Sequence, residues 1–540
     1  MKRREFGRRI IRVAAGLGMS SISMTRLGGL AGLGACTDQP TATTKKSVSA
    51  LVIGSGYGSA VTALRLTEAG YTVTMLEAGR LWLPGENGTT FCKPFKPDGR
   101  AMWFRDKTET QMKTFFGQSV EMEVPVEAGV LEARGPAEMR VFQGKGVGGG
   151  SLVNMAIYLP PEKEMLEKAL PSVDPDSFYS TYLPRAMDML GPGKASQRLI
   201  DSKAYLYSRV GMELADAVGQ QCTQLQSGYD MDYMEQELDG QVPLSALGGE
   251  AGFGNNYGKK SLDKTYLADA LGTGRLTIHA LHVVKQIKTD PSGGYVVEVD
   301  NIDVSGNVLE RKEFTCTHLF VGAGSMATSE LLVRARERGD LPKLNDSVGT
   351  KWGPNGDIFV ALDTPKDTGE MQSTIPSHYF LMRDPDNRRV VSQFAPLPVG
   401  FSVKQSFVIA IVENPEAGHF TYDAENDEVN LQWSRSQNEP SVAAAKFVYD
   451  QVNSKTGTKY SEVLKFAGDS LFGDQVTYHP VGGIPLGDAT DDYGRIREYP
   501  GLYVTDGSLI SVGIGANPSV TITALAERNI ENILATDLAS

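Results

Sequence analysis

VSALVIGSGYGSAVTALRLTEAGYTVTMLE, residues 48–77, is the stretch on which the fold turns. Val48–Ile53 is a short apolar run of strand type, followed at once by Gly54-Ser55-Gly56-Tyr57-Gly58-Ser59. From Ala60 to Ala69 the apolar residues recur at helical spacing, Gly70 caps the helix, and Tyr71–Leu76 reads as a second strand ending in Glu77. In such a unit Gly54 permits a tight turn, and Gly56 lets the backbone approach a pyrophosphate seated on the helix N-terminal amides. Ser59 holds the place of a third glycine and is small enough to let the helix pack on the strand. Glu77, 23 residues after Gly54, falls where an acid accepts hydrogen bonds from an adenosine ribose. A glycine-rich turn alone would mean little; with strand, helix and acid in register, the segment predicts a dinucleotide site.

Further runs repeat the theme along the chain. Gly144-Lys145-Gly146-Val147-Gly148-Gly149-Gly150-Ser151-Leu152-Val153-Asn154 has no role in a simple nicotinamide fold, and so many glycines let backbone lie flat against a ring or a diphosphate. Leu319–Ser325 is a buried strand with a glycine turn, ahead of a helix at about Ala327 to Arg334, and Leu502–Gly507 repeats the strand-to-turn pattern. Three nucleotide-type segments spread over the chain favour FAD, the more extended cofactor, over a nicotinamide.

Composition narrows the partners. With 540 residues, 41% apolar and 22% charged, the chain belongs among folded globular proteins with room for a large core. The formal net charge of −12 includes a basic leader, and removing its seven cations and Glu5 leaves about −18. That argues against a nucleic-acid partner, since phosphate binding needs a positive surface. Cys36, Cys92, Cys222 and Cys316 are scattered, with no CxxC pair and no metal-type spacing, so neither a disulfide framework nor a metal site is expected.

The first 36 residues read as an address. Arg3-Arg4 followed by Phe6, then a mildly apolar Gly/Ala/Ser-rich stretch from Ile10 to Leu33, has the shape of a twin-arginine export signal. Leu33-Gly34-Ala35-Cys36 resembles a lipobox, so the expected location is periplasmic or extracellular, with an anchored lipoprotein at Cys36 as one form and a free protein as the other. Residues 37–46 then serve as a polar tether. No later stretch carries about 18 or more uninterrupted apolar residues, the length a membrane-spanning helix needs.

Longer motifs carry a resemblance. GVGGGSLVN, GNNYGKKSLDKTYL from Gly254 to Leu267, FVGAGSMATSELLVRAR, Tyr478-His479-Pro480-Val481-Gly482-Gly483, LYVTDGSLI and NPSVTITALAERN resemble the glucose-methanol-choline (GMC) oxidoreductases, and among them the bacterial cholesterol oxidases with non-covalent FAD. The fold this implies is α/β, a discontinuous Rossmann-like FAD-binding domain (47–81, 260–349 and 494–540) interleaved with a substrate domain built on a mixed sheet with helices (82–259 and 350–493). Carried over by motif, the FAD contacts fall on Gly54, Gly56, Gly58 and Glu77, then on Gly149, Asn154, Val284, Asp506 and Asn517. His279 and His282, beside Val284, are expected to be strand or loop residues.

The resemblance also implies the chemistry. Flavin oxidation of an alcohol needs a polar pair at the hydroxyl beside an apolar pocket. His479 is expected over the reacting centre, an imidazole being a residue type suited to proton transfer at neutral pH, and Asn517 is expected to touch both substrate and flavin. Gln393 stands where the related cholesterol oxidases carry the glutamate that moves a proton during isomerisation; an amide has no basic site for that step. Met155-Ala156-Ile157 also departs from the family's Gly-Gly-Met. The expected activity is oxidation of a secondary alcohol on a bulky apolar substrate, a 3β-hydroxysteroid such as cholesterol, to the ketone, with O2 reduced to H2O2 and little isomerisation. The alternatives are a dehydrogenase of another hydrophobic alcohol using a membrane electron carrier and a non-catalytic lipid-binding flavoprotein. Loops at 81–99 and 365–389 are expected to close the pocket.

Overall fold

The computed structural model describes residues 43–83, 89–110, 112–397 and 399–539. The export signal, the lipobox at Cys36 and the tether from residue 37 to residue 42 lie outside them. The chain opens with β1 (Thr44–Ile53), turns through the first glycines into α1 (Tyr57–Glu68) and returns as β2 (Val73–Leu76). Thr44–Lys46, expected in the tether, instead pair parallel with Lys312–Phe314. The long partner strand offers backbone groups that far out, even though these three side chains are exposed.

Much later come β3 (Leu276–His279), β4 (His282–Thr289), β5 (Tyr295–Ile302), β6 (Val308–Val321) and α2 (Ser325–Glu337). With β1 and β2 they form a sheet of order β3-β2-β1-β6-β5-β4. Its β3, β2, β1 and β6 run parallel, while β5 and β4 are antiparallel additions. The apolar ends of β1 and β6 are buried without interruption, as expected of parallel strands covered on both faces.

A second sheet contains β7 (Asp357–Asp363), β8 (His378–Arg383), β9 (Arg389–Ala395) and β10 (Gln405–Val412), in the order β7-β10-β9-β8, with short strands at its edges. Mixed pairing falls in the first sheet; this one, expected to be mixed, is antiparallel at every pairing among the described residues. Side chains alternate between its faces. Ile358, Val360 and Leu362 of β7, with Val408, Ala410 and Val412 of β10, pack with Val448 and Tyr449 of α3 (Glu439–Thr456). Phe359 and Ala361, with Phe407 and Ile409, join a different apolar cluster on the opposite face. That face also carries Asp357 and Gln393, whose registers match. The chain then returns to the first sheet as β11 (Leu502–Val504), parallel to the end of β6, and finishes in α4 (Ser519–Thr536).

Candidate active site

One cavity of about 890 Å³ runs from the first glycine turn to the inner face of the second sheet. At one end its wall is backbone. A Cβ on Gly54 would lie 2.2 Å from the Gly322 carbonyl oxygen, and one on Gly58 would lie 1.6 Å from that of Thr505. The turns after β1, β6 and β11 are therefore pressed together too tightly for any side chain. Gly149, at positive φ, would put a Cβ 2.9 Å from the Gly56 Cα, so the second glycine run rests directly on the first. A Cβ on Gly56, by contrast, would meet nothing within 4 Å, although Gly56 lines the cavity; the open backbone faces the space a pyrophosphate needs. At the third-glycine position the buried Ser59 packs against the strand end, its hydroxyl bonding the carbonyls of Ile53 and Gly322, while Gly58 makes the close approach to Thr505.

Glu77 sits buried at the end of β2 and lines the cavity. Its oxygens accept from the Ser55 hydroxyl at 2.6 Å and the Gly79 amide at 2.8 Å, and burial pushes its carboxyl above the usual range. Val284 and Asn154 also line the cavity, the Asn154 amide donating to the Tyr57 hydroxyl at 2.9 Å. Asp506 lines the cavity as well. Its carboxylate accepts from the Gly324 amide, the Thr328 hydroxyl and both Ser508 donors, which clasps the turn after β6 to the turn after β11. Lined by four glycine turns, a buried acid and a long open channel, this end fits FAD.

The other end is an apolar chamber. Met122, Phe142, Met155, Phe359, Phe407 and Ile409 are among its walls, with His479 and Asn517 on one side. The two meet at 3.2 Å, between the His479 Nε2 and the Asn517 Nδ2. Behind His479, the buried Asp357 accepts from Nδ1 at 2.8 Å through Oδ1, and from the Thr477 hydroxyl and the Tyr478 amide through Oδ2. Behind Asn517, Gln393 Nε2 donates to Oδ1 at 2.6 Å. Gln393 is 0% exposed and does not border the cavity, so the residue expected among the catalysts stands one layer back, covered by Asn517.

Sequence reasoning missed the turn that holds this site together. Asn355, at positive φ, accepts from the Ile514 amide and donates to the Ala516 carbonyl, both at 2.8 Å, which fixes the loop carrying Asn517. Two residues on, Asp357 fixes the loop carrying His479. Gly356 between them would put a Cβ 1.7 Å from the Val412 carbonyl oxygen. Pro354-Asn355-Gly356-Asp357 reads as an ordinary turn along the sequence, and only the close approach of Gly356 to Val412 marks it as more.

The chamber walls depart from expectation. Among the described residues of the 81–99 segment, Pro94 and Phe95 reach the cavity, but of 365–389 only Thr374 does. Residues 378–383 are strand β8 instead. Residues within 108–110, 112–122, 396–397 and 399–401 take the missing place, and Phe95 and Phe401 are 58% and 50% exposed at the chamber's rim. His279 ends β3 and His282 begins β4. Burial, then the neighbouring His282, pushes His279 down to about 4, and burial also lowers His282, so both are neutral at pH 7.

Profiles of the GMC oxidoreductase family match residues 85–336 and 418–526, and its C-terminal profile matches 355–466. The chain belongs to the GMC oxidoreductases: it is an FAD-dependent alcohol oxidoreductase. It is 27% identical to a cholesterol oxidase of Mycobacterium tuberculosis over 558 residues, covering 90% of each chain. A cholesterol oxidase of Acinetobacter baumannii is 24% identical, with 89% of this chain and 94% of that one covered. Among solved structures, pyridoxine 4-oxidase from Mesorbium loti (TM-score 0.59, 14% identity, 90% and 99% covered) and formate oxidase of Aspergillus oryzae (TM-score 0.60, 14% identity, 92% and 99% covered) share the fold.

Proposed function

We propose that this protein oxidises a secondary hydroxyl on a bulky apolar alcohol, a 3β-hydroxysteroid foremost, with O2 as acceptor and H2O2 as second product. The observation that carries the reading is the contrast within one cavity: aromatic and aliphatic walls, with a single imidazole and carboxamide pair on one side. A rigid polycyclic alcohol would bury its rings against Phe359, Phe407 and Ile409, at roughly 25 cal/mol per Å² of apolar surface. Its hydroxyl, the one group that must not be stranded, would find His479 and Asn517. His479 takes the hydroxyl proton, and the Asn517 amide donates to the oxygen as charge develops there. Bound FAD supplies the acceptor for the carbon-bound hydrogen and its electron pair.

Gly54, Gly56 and Gly58 would hold the pyrophosphate, Glu77 the ribose, and Gly149, Asn154 and Val284 the remaining length of the cofactor. Gln393 has neither a basic nitrogen nor exposure to the cavity, which supports oxidation without efficient isomerisation. The test is anaerobic flavin bleaching across sterols and long-chain alcohols, followed under air by peroxide release and by the conjugated enone's ultraviolet absorption. A sterol should bleach the flavin fastest and leave unconjugated ketone in excess. Bleaching by other alcohols only would remove the steroid, and dye reduction without peroxide would favour a dehydrogenase coupled to a membrane carrier.

We also propose export through the twin-arginine signal, with lipidation at Cys36. Cells expressing the full chain should carry it in the membrane fraction, and a Cys36→Ser variant should be released; identical distribution of the two would overturn the anchor.

A further inference from the structure

Four side chains form one line through the chamber wall: Asp357, His479, Asn517 and Gln393. Each joint of that line has a direction. A carboxylate can only accept, so the 2.8 Å contact between Asp357 Oδ1 and His479 Nδ1 places the ring proton on Nδ1. Nε2 is then a bare lone pair. The far end is compatible with that tautomer: with Gln393 Nε2 donating to Asn517 Oδ1, the donor Nδ2 faces His479 Nε2. The Asp357 contact therefore selects the tautomer whose basic nitrogen is Nε2.

Resting on the reading of His479 as the group that meets the alcohol, we propose that Asp357 is its positioning residue: it sets the tautomer and holds the imidazolium formed when the substrate proton arrives. In that step the alcohol hydroxyl takes the place of Asn517 Nδ2 at the Nε2 lone pair, its O–H bond breaks, the electron pair stays on oxygen, and an Nε2–H bond forms. The proton remains on Nε2, and Asp357 stays a carboxylate throughout. Without Asp357 the new cation would lose the carboxylate that faces its Nδ1. Asp357 suits the task because its whole hydrogen-bonding capacity goes to the 477–479 segment: Oδ2 takes the Thr477 hydroxyl at 2.9 Å and the Tyr478 amide at 3.0 Å. The aromatic neighbours close it in further, since Phe142 stacks on Tyr478 at 4.9 Å and Phe359 meets it edge-on at 5.9 Å.

Asp357→Asn tests the role with almost no change of shape. The fixed N–H of Tyr478 claims the new amide's oxygen, so its NH2 turns to His479 Nδ1 and drives the ring proton to Nε2, the wrong nitrogen. Nitrogen NMR of the ¹⁵N-histidine holoenzyme, with His479 assigned through His479→Gln, should show protonated Nδ1 in the parent chain and protonated Nε2 in Asp357→Asn. Against whichever alcohol reduces the parent's flavin, kcat should fall on the order of 10²–10³-fold while KM moves less than threefold and flavin content is kept. A parent His479 protonated on Nε2, or an Asp357→Asn enzyme within threefold in kcat, would overturn the proposal. So would a variant that loses flavin and melts early yet, per bound flavin, turns over at the parental rate, because Asp357 would then only brace the loop. If no alcohol bleaches the parent flavin while the NMR result holds, the proposed function fails and the tautomer assignment stands.

Discussion

The two ends of the cavity are built by different means. At the nucleotide end, backbone touches backbone: Gly58 against Thr505, Gly54 against Gly322, Gly149 against Gly56. At the substrate end, side chains reach one another through a relay of hydrogen bonds from Asp357 to Gln393. Close backbone contact leaves no room for compromise, since a single methyl group must move a strand. A relay can lose one member and keep its scaffold. Damage at the first end should therefore be all-or-none and damage at the second graded, which perturbation can check.

The largest effect is expected from Gly58→Ala, whose new carbon would fall within the Thr505 carbonyl. The purified variant should be colourless or insoluble, whereas Gly56→Ala, at φ −71° and with open space around it, should fold and bind flavin more weakly. Visible flavin absorbance per chain separates the two, and equal colour would erase the contrast. Next, His479→Gln should keep its flavin and lose about 10²–10⁴-fold in kcat, measured by stopped-flow bleaching. Asn355→Ala releases two hydrogen bonds from the Asn517 loop and should cost about 1–3 kcal/mol of stability by denaturant titration, with kcat lowered about tenfold. Gln393→Leu removes one bond to Asn517 and should slow turnover by tenfold or less, with Asn517 free to turn its oxygen to His479. A parental rate would show that Asn517 needs no support from behind.

The smallest effect concerns pH. His279 is held down to about 4 by burial, below its unfolded value of about 6.5. Between those values the unfolded chain takes up a proton that the native chain refuses, so stability falls as pH drops through that window. Tm should decline by a few degrees from pH 6.5 to 4, and a His279→Phe variant should decline less.

What could be read from the sequence follows the same division. The nucleotide end was legible because its logic is local: Val48 to Glu77 holds strand, turn, helix and acid in one run, and the spacing of the glycines is itself the geometry. The site end was legible only in part. His479 and Asn517 lie in motifs, but Asp357 is a lone acid after a glycine, and nothing along the chain tells that its carboxylate meets a ring 122 positions away. Gln393 looked like a catalyst because it stands where the cholesterol oxidases that this chain resembles carry a glutamate. A matched motif gives the position but not what covers it, and Asn517 arrives there from 124 positions further along the chain. The walls within 108–110, 112–122, 396–397 and 399–401 went unread, having no periodicity to mark them.

The clasp between Gly58 and Thr505 has a bearing on the order of events in the cell. The first glycine turn leaves the ribosome well before β11 and Asp506, which lie more than 440 positions further along the chain. Until those residues emerge, the opening turn lacks the neighbours that shape it. Flavin capture therefore waits for residues 502–507, and a chain cut short before them would be born without colour.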